Sequence, residues 1–195
     1  ADREISYREF PKRNPKDLSR DQIIPALLEA GLWPFIRQRP YSTIANPSES
    51  PKAVFIPAFD SHPLAPDNDF IVHGHGMEFQ TGLDAVSKLT AGVTHLNVRS
   101  DSSAVSKVFL NAKGVQINTF SGPHPAGNVG VQIHHIDPLN KGEVVWYLYP
   151  QDVLMIGRLF TEGRFNASRA MALVGPCIKQ PKFYKIMIGA SVKSI

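Results

Sequence analysis

Five short apolar runs, separated by segments with a different pattern, constrain the fold of this chain more than any other feature. The runs that predict strands cover residues 52–57, 93–98, 115–120, 143–149 and 170–174. Between the first two, Phe79, Leu83 and Val86 recur at helical spacing and predict a helix over residues 74–90. Strands that alternate with helices of about 10–15 residues form a mostly parallel sheet with helices on both faces. The sequence therefore predicts an α/β fold.

The two ends of the chain differ from this middle part. The sequence predicts three segments. A linker and a helical lead-in occupy residues 1–50, and the α/β core occupies residues 51–182. Residues 183–195 are expected to be the start of a following domain that is cut short. In the lead-in, Ser19 and Gln22 form an S-x-x-Q capping box. We expect Pro25 to kink or delay the helix that follows the box.

Composition excludes several classes of protein. No apolar run approaches the roughly 18–20 residues of a membrane-spanning helix, and the polar N-terminal stretch lacks the pattern of a signal peptide. The one cysteine, Cys177, excludes an internal disulfide bond and fits a reducing compartment. We expect a semi-buried thiol rather than a nucleophile, because no histidine or aspartate motif accompanies it.

The net charge of +4 is concentrated towards the C-terminal end. After Glu162 the chain has no acidic residue but six basic ones: Arg164, Arg169, Lys179, Lys182, Lys185 and Lys193. Such a segment can contact lipid headgroups or an acidic partner protein, or it can form a solvated surface. Nucleic acid is not an expected partner, because the sequence lacks zinc-finger spacing, basic-region heptads and the aromatic strands of RNA-binding domains.

A glycine-rich loop with the sequence SGPHPAGNVG follows the predicted strand at 115–120. Its candidate ligand or interface residues are Ser121, Gly122, His124, Gly127 and Gly130. Loops in this position bind anions in open α/β sheets, because their backbone N–H groups can point outward together. However, the loop lacks the lysine of a P-loop and has only the G-x-x-G half of the dinucleotide fingerprint. Its sequence therefore fits either a ligand site or a turn stiffened by proline.

Metal and catalytic sites are not predicted. His73 and His75 are expected on one face of a strand, and His134 and His135 are adjacent, but zinc normally needs three or four ligands at suitable spacing. The sequence also contains no nucleophile elbow and no carboxylate pair with the spacing of an acid–base site. The local combinations that remain are His62 with Asp60 and His124 with Ser121, both in proline-rich turns. No catalytic residue is assigned.

Several segments of the chain resemble the A subunit of the bacterial Na+-translocating NADH:quinone oxidoreductase. The matching segments are SGPHPAG at 121–127, WYLYPQDV at 146–153, LVGP at 173–176, LEAGLW at 28–33, RPYS at 39–42 and GLDA at 82–85. They occur in the family's order over nearly the whole chain. The resemblance implies a Rossmann-like core related to the flavin subunit of complex I. It also implies that a carrier-like domain precedes this core and that a ubiquitin-like domain follows it.

The resemblance further implies a location, cofactors and partners. Family members are peripheral subunits on the cytoplasmic face of the inner membrane and bind no flavin or iron–sulfur cluster. NADH, FAD, FMN, riboflavin and Fe–S then belong to other subunits, and the expected partners include the membrane subunit that carries covalent FMN. Ubiquinone is expected near the chain in the assembled complex. Because the loop at 121–130 lacks residues for firm phosphate binding, we interpret it as the remnant of a flavin site.

The expected function is a contribution to assembly and to quinone-proximal interactions in a sodium pump whose activity, NADH:ubiquinone reduction, belongs to the whole complex. Two alternatives from other classes stay open. One is a flavin- or nucleotide-binding oxidoreductase domain, and the other is a purely structural interaction module.

Overall fold

Six strands form one sheet in the computed structural model, which describes residues 6–100, 105–191 and 193. In chain order they are β1 (Arg37–Arg39), β2 (Thr43–Ile44), β3 (Ala53–Pro57), β4 (Val93–Arg99), β5 (Gln116–Phe120) and β6 (Val145–Tyr147). Their order across the sheet is β2-β1-β6-β3-β4-β5. Strands β6, β3, β4 and β5 are parallel, whereas β1 pairs antiparallel with both β6 and β2. The predicted α/β fold with a mostly parallel sheet is confirmed.

Helices cover both faces of this sheet. They are α1 (Arg20–Glu29), α2 (Asn68–Val72), α3 (Gly76–Ser87), α4 (Lys107–Leu110), α5 (Val129–Ile136) and α6 (Pro150–Glu162). On one face, side chains such as Leu96 and Trp146 share a large apolar core with α1, α3 and α6. On the other face, Phe55 and Tyr147 pack against α5 through Val129 and Ile133. The strands are therefore apolar on both sides, as expected for a parallel sheet between helical layers.

Helix α1 begins where the capping box predicted. The backbone N–H of Ser19 donates to the Gln22 side chain at 3.0 Å, and the reciprocal bond is also present. Pro25 lies inside the helix without delaying its start, and the helix continues to Glu29. Farther along, the sequence offers Asp101 or Ser102 as the cap of a short helix that ends near Asn111; both residues lie outside the described part of the chain. The cap of α4 is Ser106.

Helices α3 and α6 cross in direct backbone contact. A Cβ atom on Gly157 of α6 would lie 1.8 Å from the carbonyl oxygen of Glu78, and one on Gly82 of α3 would lie 2.1 Å from that of Val153. Real Cβ atoms do not approach other atoms so closely, so both positions need glycine. The two glycines let α3 and α6 pack together beneath the same face of the sheet.

The last two strands stand apart from the main sheet. Strand β7 (Ser168–Leu173) pairs antiparallel with β8 (Lys182–Met187) in a separate two-stranded sheet. The expectation that the run at 170–174 joins the parallel sheet is therefore wrong. The residues of β7 are only half-buried, whereas every residue of β3 is buried. Half-burial is typical of an antiparallel strand with one solvated face.

The sheets also bear on the proposed division of the chain. The main sheet includes β1 and β2 from the predicted lead-in, and the boundary between residues 182 and 183 falls at the beginning of β8. The division into a core and a following domain stays a prediction.

Near the N-terminus, the N–H of Phe10 donates to the carbonyl oxygen of Gly163 at 2.7 Å, and Glu9 forms a β-bridge with Arg164. Within the described part of the chain, no helix has the length and apolar character needed to span a membrane.

Candidate functional site

A cleft of about 600 Å³ opens where the strand order reverses. From β3 the chain adds β4 and β5 on one side, and β6 then returns to the other side of β3. Ligands of open α/β proteins bind at this switch point, beyond the carboxyl ends of the strands. The cleft is lined by Arg39, Phe59, Asp60, His62, Pro66, Asn68, Gly127, Asn128, Val129, Gly130, Val131, Tyr149, Gln151 and Arg169.

The segment that follows β3 forms the rim of the cleft together with the glycine loop. Asp60 Oδ1 accepts the backbone N–H of His62 at 2.9 Å and lies 2.6 Å from Nδ1 of its ring. The rings of His62 and His124 lie 4.2 Å apart. The side-chain partner of His124 is Ser61, at 3.1 Å, and not the sequence neighbour Ser121. The structure therefore brings His62 and His124 into ring contact, although they lie in separate turns of the sequence.

The five predicted loop residues separate into two groups. Ser121, Gly122 and His124 are exposed and do not line the cleft, whereas Gly127 and Gly130 do. Gly127 is buried against the preceding rim segment, and its N–H donates to the Ser61 hydroxyl at 2.8 Å. A Cβ atom on Gly127 would lie 2.4 Å from the backbone nitrogen of Ser61. The glycine is thus required for packing, and a ligand role of the loop stays a prediction.

Two arginines that were not predicted as site residues also line the cleft. Arg39, at the end of β1, places its guanidinium 5.5 Å from the centre of the Tyr147 ring. Its Nη2 atom lies 3.8 Å from the position that a Cβ atom of Gly130 would occupy. Arg39 belongs to the RPYS segment at 39–42, which carries part of the family resemblance. Membership in that segment was the sequence signal that could have indicated Arg39 as a site residue.

Arg169 comes from β7 and pairs with a buried carboxylate. Its Nη2 lies 3.0 Å from Oδ1 of Asp152, whose side chain is 5% exposed. The other oxygen of Asp152 accepts the N–H of Tyr149 at 3.0 Å and thereby caps α6. Burial raises the pKa of the Asp152 carboxyl, and the positive charge of Arg169 opposes this effect. Burial also raises the pKa of Tyr149, so its hydroxyl stays protonated at neutral pH.

The remaining polar residues that the sequence singled out lie outside the cleft lining. His73 follows the last residue of α2 as its C-cap, and His75 is the N-cap of α3, so the expectation that they share a strand face is wrong. His134 and His135 lie in the last turn of α5. Cys177 is exposed rather than semi-buried. Among the described residues there is no group of three or more His, Cys, Asp or Glu side chains that could hold a metal ion.

A buried network of side-chain amides fixes α5 and the glycine loop to the sheet. Asn97 of β4 donates to Gln132 of α5 at 2.9 Å, and Asn118 of β5 donates to Asn97 at 2.9 Å and to His95 Nδ1 at 3.3 Å. Gln132 in turn donates to the carbonyl oxygen of Ala126 at 3.2 Å. Buried polar groups need such partners, and here the partners position one wall of the cleft.

We expect the stability of the protein to depend on pH because of the imidazole of His95. Burial lowers its pKa, and the charge of Asp137 opposes the shift only in part. The unfolded imidazole has a pKa of about 6.5, so below that pH the unfolded state takes up a proton that the folded state resists. We expect stability to fall as the pH falls through this window. The replacement His95→Gln should reduce the loss of melting temperature between about pH 7.5 and 5.5; an identical loss in both proteins would contradict this prediction.

Most of the chain matches a known protein family. A family model described as the second alpha/beta domain of NqrA matches residues 18–165. The chain belongs to the NqrA family. It is 38% identical to the A subunit of the Na(+)-translocating NADH-quinone reductase of Photorhabdus laumondii, over 98% of this chain and 42% of that protein. The corresponding protein of Pseudomonas aeruginosa strain PAO1 is 35% identical, over 100% of this chain and 43% of that protein.

These matches confirm the resemblance to the NqrA family that the sequence segments indicated. The chain spans less than half the length of the two curated relatives. A crystal structure of an NAD+-reducing [NiFe]-hydrogenase in the air-oxidized state contains a chain with the same fold. It superimposes with a TM-score of 0.63 over 94% of this chain and 39% of that chain, at 14% identity. At this identity the likeness extends to the fold alone.

Proposed function

We propose that this chain is part of a membrane-peripheral subunit of a sodium-pumping NADH:quinone oxidoreductase, on the cytoplasmic face of the membrane. The match to NqrA over residues 18–165 carries the proposal. Reduction of quinone by NADH belongs to the assembled complex, and this chain contributes to assembly and to contacts near the quinone. Its partners are the other subunits, the one with covalent FMN in particular.

The basic segment near the C-terminus supports the assembly role. Lys179, Lys182 and Lys185 are exposed on or beside β8 and lack a described acidic partner. Replacing all three with glutamate in the full-length protein should lower the recovery of the other subunits by about tenfold, because like charges repel across an interface. The measurement is affinity purification from detergent-solubilised membranes.

A second triple variant provides the control for this prediction. Glutamate replacements at Lys88, Lys107 and Lys113, which are exposed elsewhere on the protein, make the same change in net charge. Full recovery of the complex is expected from this variant. Equal recovery from both triple variants would contradict an assembly role of the basic segment.

Quinone contact is the finer part of the proposal, and the rim of the cleft supports it. The exposed rings of His62 and His124 offer N–H donors for a quinone carbonyl oxygen, and the Tyr149 hydroxyl stays protonated and lines the same cleft. Leu64, which is 65% exposed, lies in the segment between the rim and α2 and offers apolar surface for a prenyl tail. A photoreactive quinone analogue in the intact complex should label peptides from 59–66 or 121–131. Labelling of other subunits alone would leave the purely structural alternative as the better description.

The chain is proposed to bind no flavin or nicotinamide cofactor, and the absence of a P-loop lysine and of a complete dinucleotide fingerprint supports this. Titration of the full-length protein with FMN and with NADH tests it. We expect no saturable binding at micromolar concentrations. Micromolar binding of either compound would favour the alternative of a flavin- or nucleotide-binding domain.

A further inference from the structure

The guanidinium of Arg39 has no counter-ion among the described residues. Its Nε atom is buried without a hydrogen-bond partner, and no acidic group in the described part of the chain pairs with it. Its charge contacts the face of the Tyr147 ring. A buried donor that makes no hydrogen bond lowers stability, and a guanidinium offers five such donors in a planar fork. The side chain is therefore arranged for an acceptor that the described residues do not supply.

The first turn of α5 faces the same point. The side chain of its N-cap residue, Asn128, does not bond to the helix. The N–H groups of Val129 and Gly130 consequently have no acceptor among the described residues, as is usual for uncapped helix starts. The Nη2 atom of Arg39 lies 3.8 Å from where a Cβ atom of Gly130 would be. A cation beside the positive end of a helix is unfavourable unless an anion lies near both.

The other charged groups of the cleft are already paired. Asp60 accepts the backbone N–H and contacts the ring nitrogen of His62. Arg169 pairs with Asp152, which also caps α6. The carboxylates of Asp60 and Asp152 thus have partners other than Arg39. Among the described residues of the cleft, the unpaired positive charge is that of Arg39, between β1 and α5.

We infer that this cleft binds the phosphate group of a small phosphorylated molecule, held between the Arg39 guanidinium and the first turn of α5. Backbone N–H groups and a planar guanidinium fork together match the oxygens of a phosphate. The cleft, at about 600 Å³, is far larger than phosphate alone and leaves room for the group that carries it. This inference goes beyond membership of the complex and does not depend on it.

Inorganic phosphate is the probe for the first test. The full-length protein is titrated with phosphate at constant ionic strength, and binding is followed by the melting temperature and by phosphorus NMR line broadening. Saturable binding is expected, and Arg39→Gln should weaken it by roughly tenfold to a hundredfold, as the loss of hydrogen bonds to a charged group implies. Arg13→Gln, which removes an exposed arginine outside the cleft, should leave it unchanged. Equal phosphate binding by the wild type and Arg39→Gln would overturn the inference.

A second variant keeps the test decisive if Arg39→Gln does not fold. Gly130 has ordinary backbone angles, and a Cβ atom there would meet only Arg39. Gly130→Asp thus places a carboxylate beside the guanidinium and at the helix N-terminus. We expect this variant to melt a few degrees higher than the wild type, roughly 2–4 °C, and to lose phosphate binding. Unchanged phosphate affinity in Gly130→Asp would contradict the proposed position of the site.

The source of the phosphate group is tested in parallel. Competition by FMN at lower concentration than inorganic phosphate would support the site but contradict the proposed absence of a flavin. Competition by vesicles of phosphatidylglycerol, with none from soluble phosphate esters, would contradict the assignment to a small molecule. Competition by soluble sugar phosphates is the outcome that we expect.

Discussion

Gly157→Ala is expected to lower the free energy of unfolding by about 3 kcal/mol. The added methyl group would lie 1.8 Å from the carbonyl oxygen of Glu78 and 3.0 Å from the nitrogen of Gly82. Backbone atoms cannot rotate away as a flexible side chain can, so α3 and α6 must separate along their shared contact. For a chain of this length the loss corresponds to a fall of roughly 6–12 °C in melting temperature. Thermal unfolding followed by circular dichroism measures it.

Gly76→Ala is the matched control for this prediction. Gly76 begins α3, and a Cβ atom there would make an ordinary contact with Val108 at 3.8 Å. Alanine favours a helix over glycine by up to about 1 kcal/mol, so this variant should be as stable as the wild type or slightly more so. A similar loss of stability in both variants would show that the helix crossing is not the cause.

Gly127→Ala is expected to lower the free energy of unfolding by about 2 kcal/mol and to detach the glycine loop from the rim of the cleft. A methyl group here would lie 2.4 Å from the nitrogen of Ser61 and 3.0 Å from the carbonyl carbon of Asp60. The loop must move outward to relieve this contact, and the hydrogen bond between the Gly127 N–H and the Ser61 hydroxyl is then lost. Amide hydrogen exchange should be faster in residues 121–128, and the contact between the rings of His62 and His124 should be lost.

Gly130→Ala separates the packing role of Gly127 from a general effect of losing glycine in this loop. A Cβ atom at Gly130 would meet only the Arg39 side chain, at 3.8 Å, and its backbone angles suit any residue. We expect stability within about 0.5 kcal/mol of the wild type and unchanged hydrogen exchange in the loop. Protection of residues 121–128 in Gly127→Ala equal to that in the wild type would refute the packing role.

Periodicity predicted the central layers of this fold well, because the signal is local. The β4 run, with Leu96 and Val98 buried on one face, and the helical spacing of Phe79 and Leu83 both appear as predicted. The same reasoning failed for His73. The run Phe70, Ile71, Val72 is too short to distinguish a buried strand from one turn of helix, and Asp67 caps it as a helix.

The cleft could be predicted only in part, because its residues are distant in sequence. The glycine loop was recognisable from its composition. The pairing of Arg169 with Asp152, and the position of Arg39 beside Gly130, depend on the order of strands and on the separate β7–β8 sheet. Sequence patterns describe one element at a time, and they carry no information on which elements become neighbours. The glycine loop has no lysine or arginine of its own, and both arginines that line the cleft come from other strands.

The contact between Phe10 and Gly163 has a consequence for the modular character of the protein. Because the N–H of Phe10 donates to the carbonyl oxygen of Gly163, the segment before α1 and the end of α6 lie side by side. The span that matches the NqrA model, residues 18–165, lies almost wholly between these two points. Domains whose ends lie side by side can be inserted into or removed from a longer protein with little disturbance of either. Residues 10–163 thus have the geometry of an exchangeable unit that carries all of the described cleft lining except Arg169.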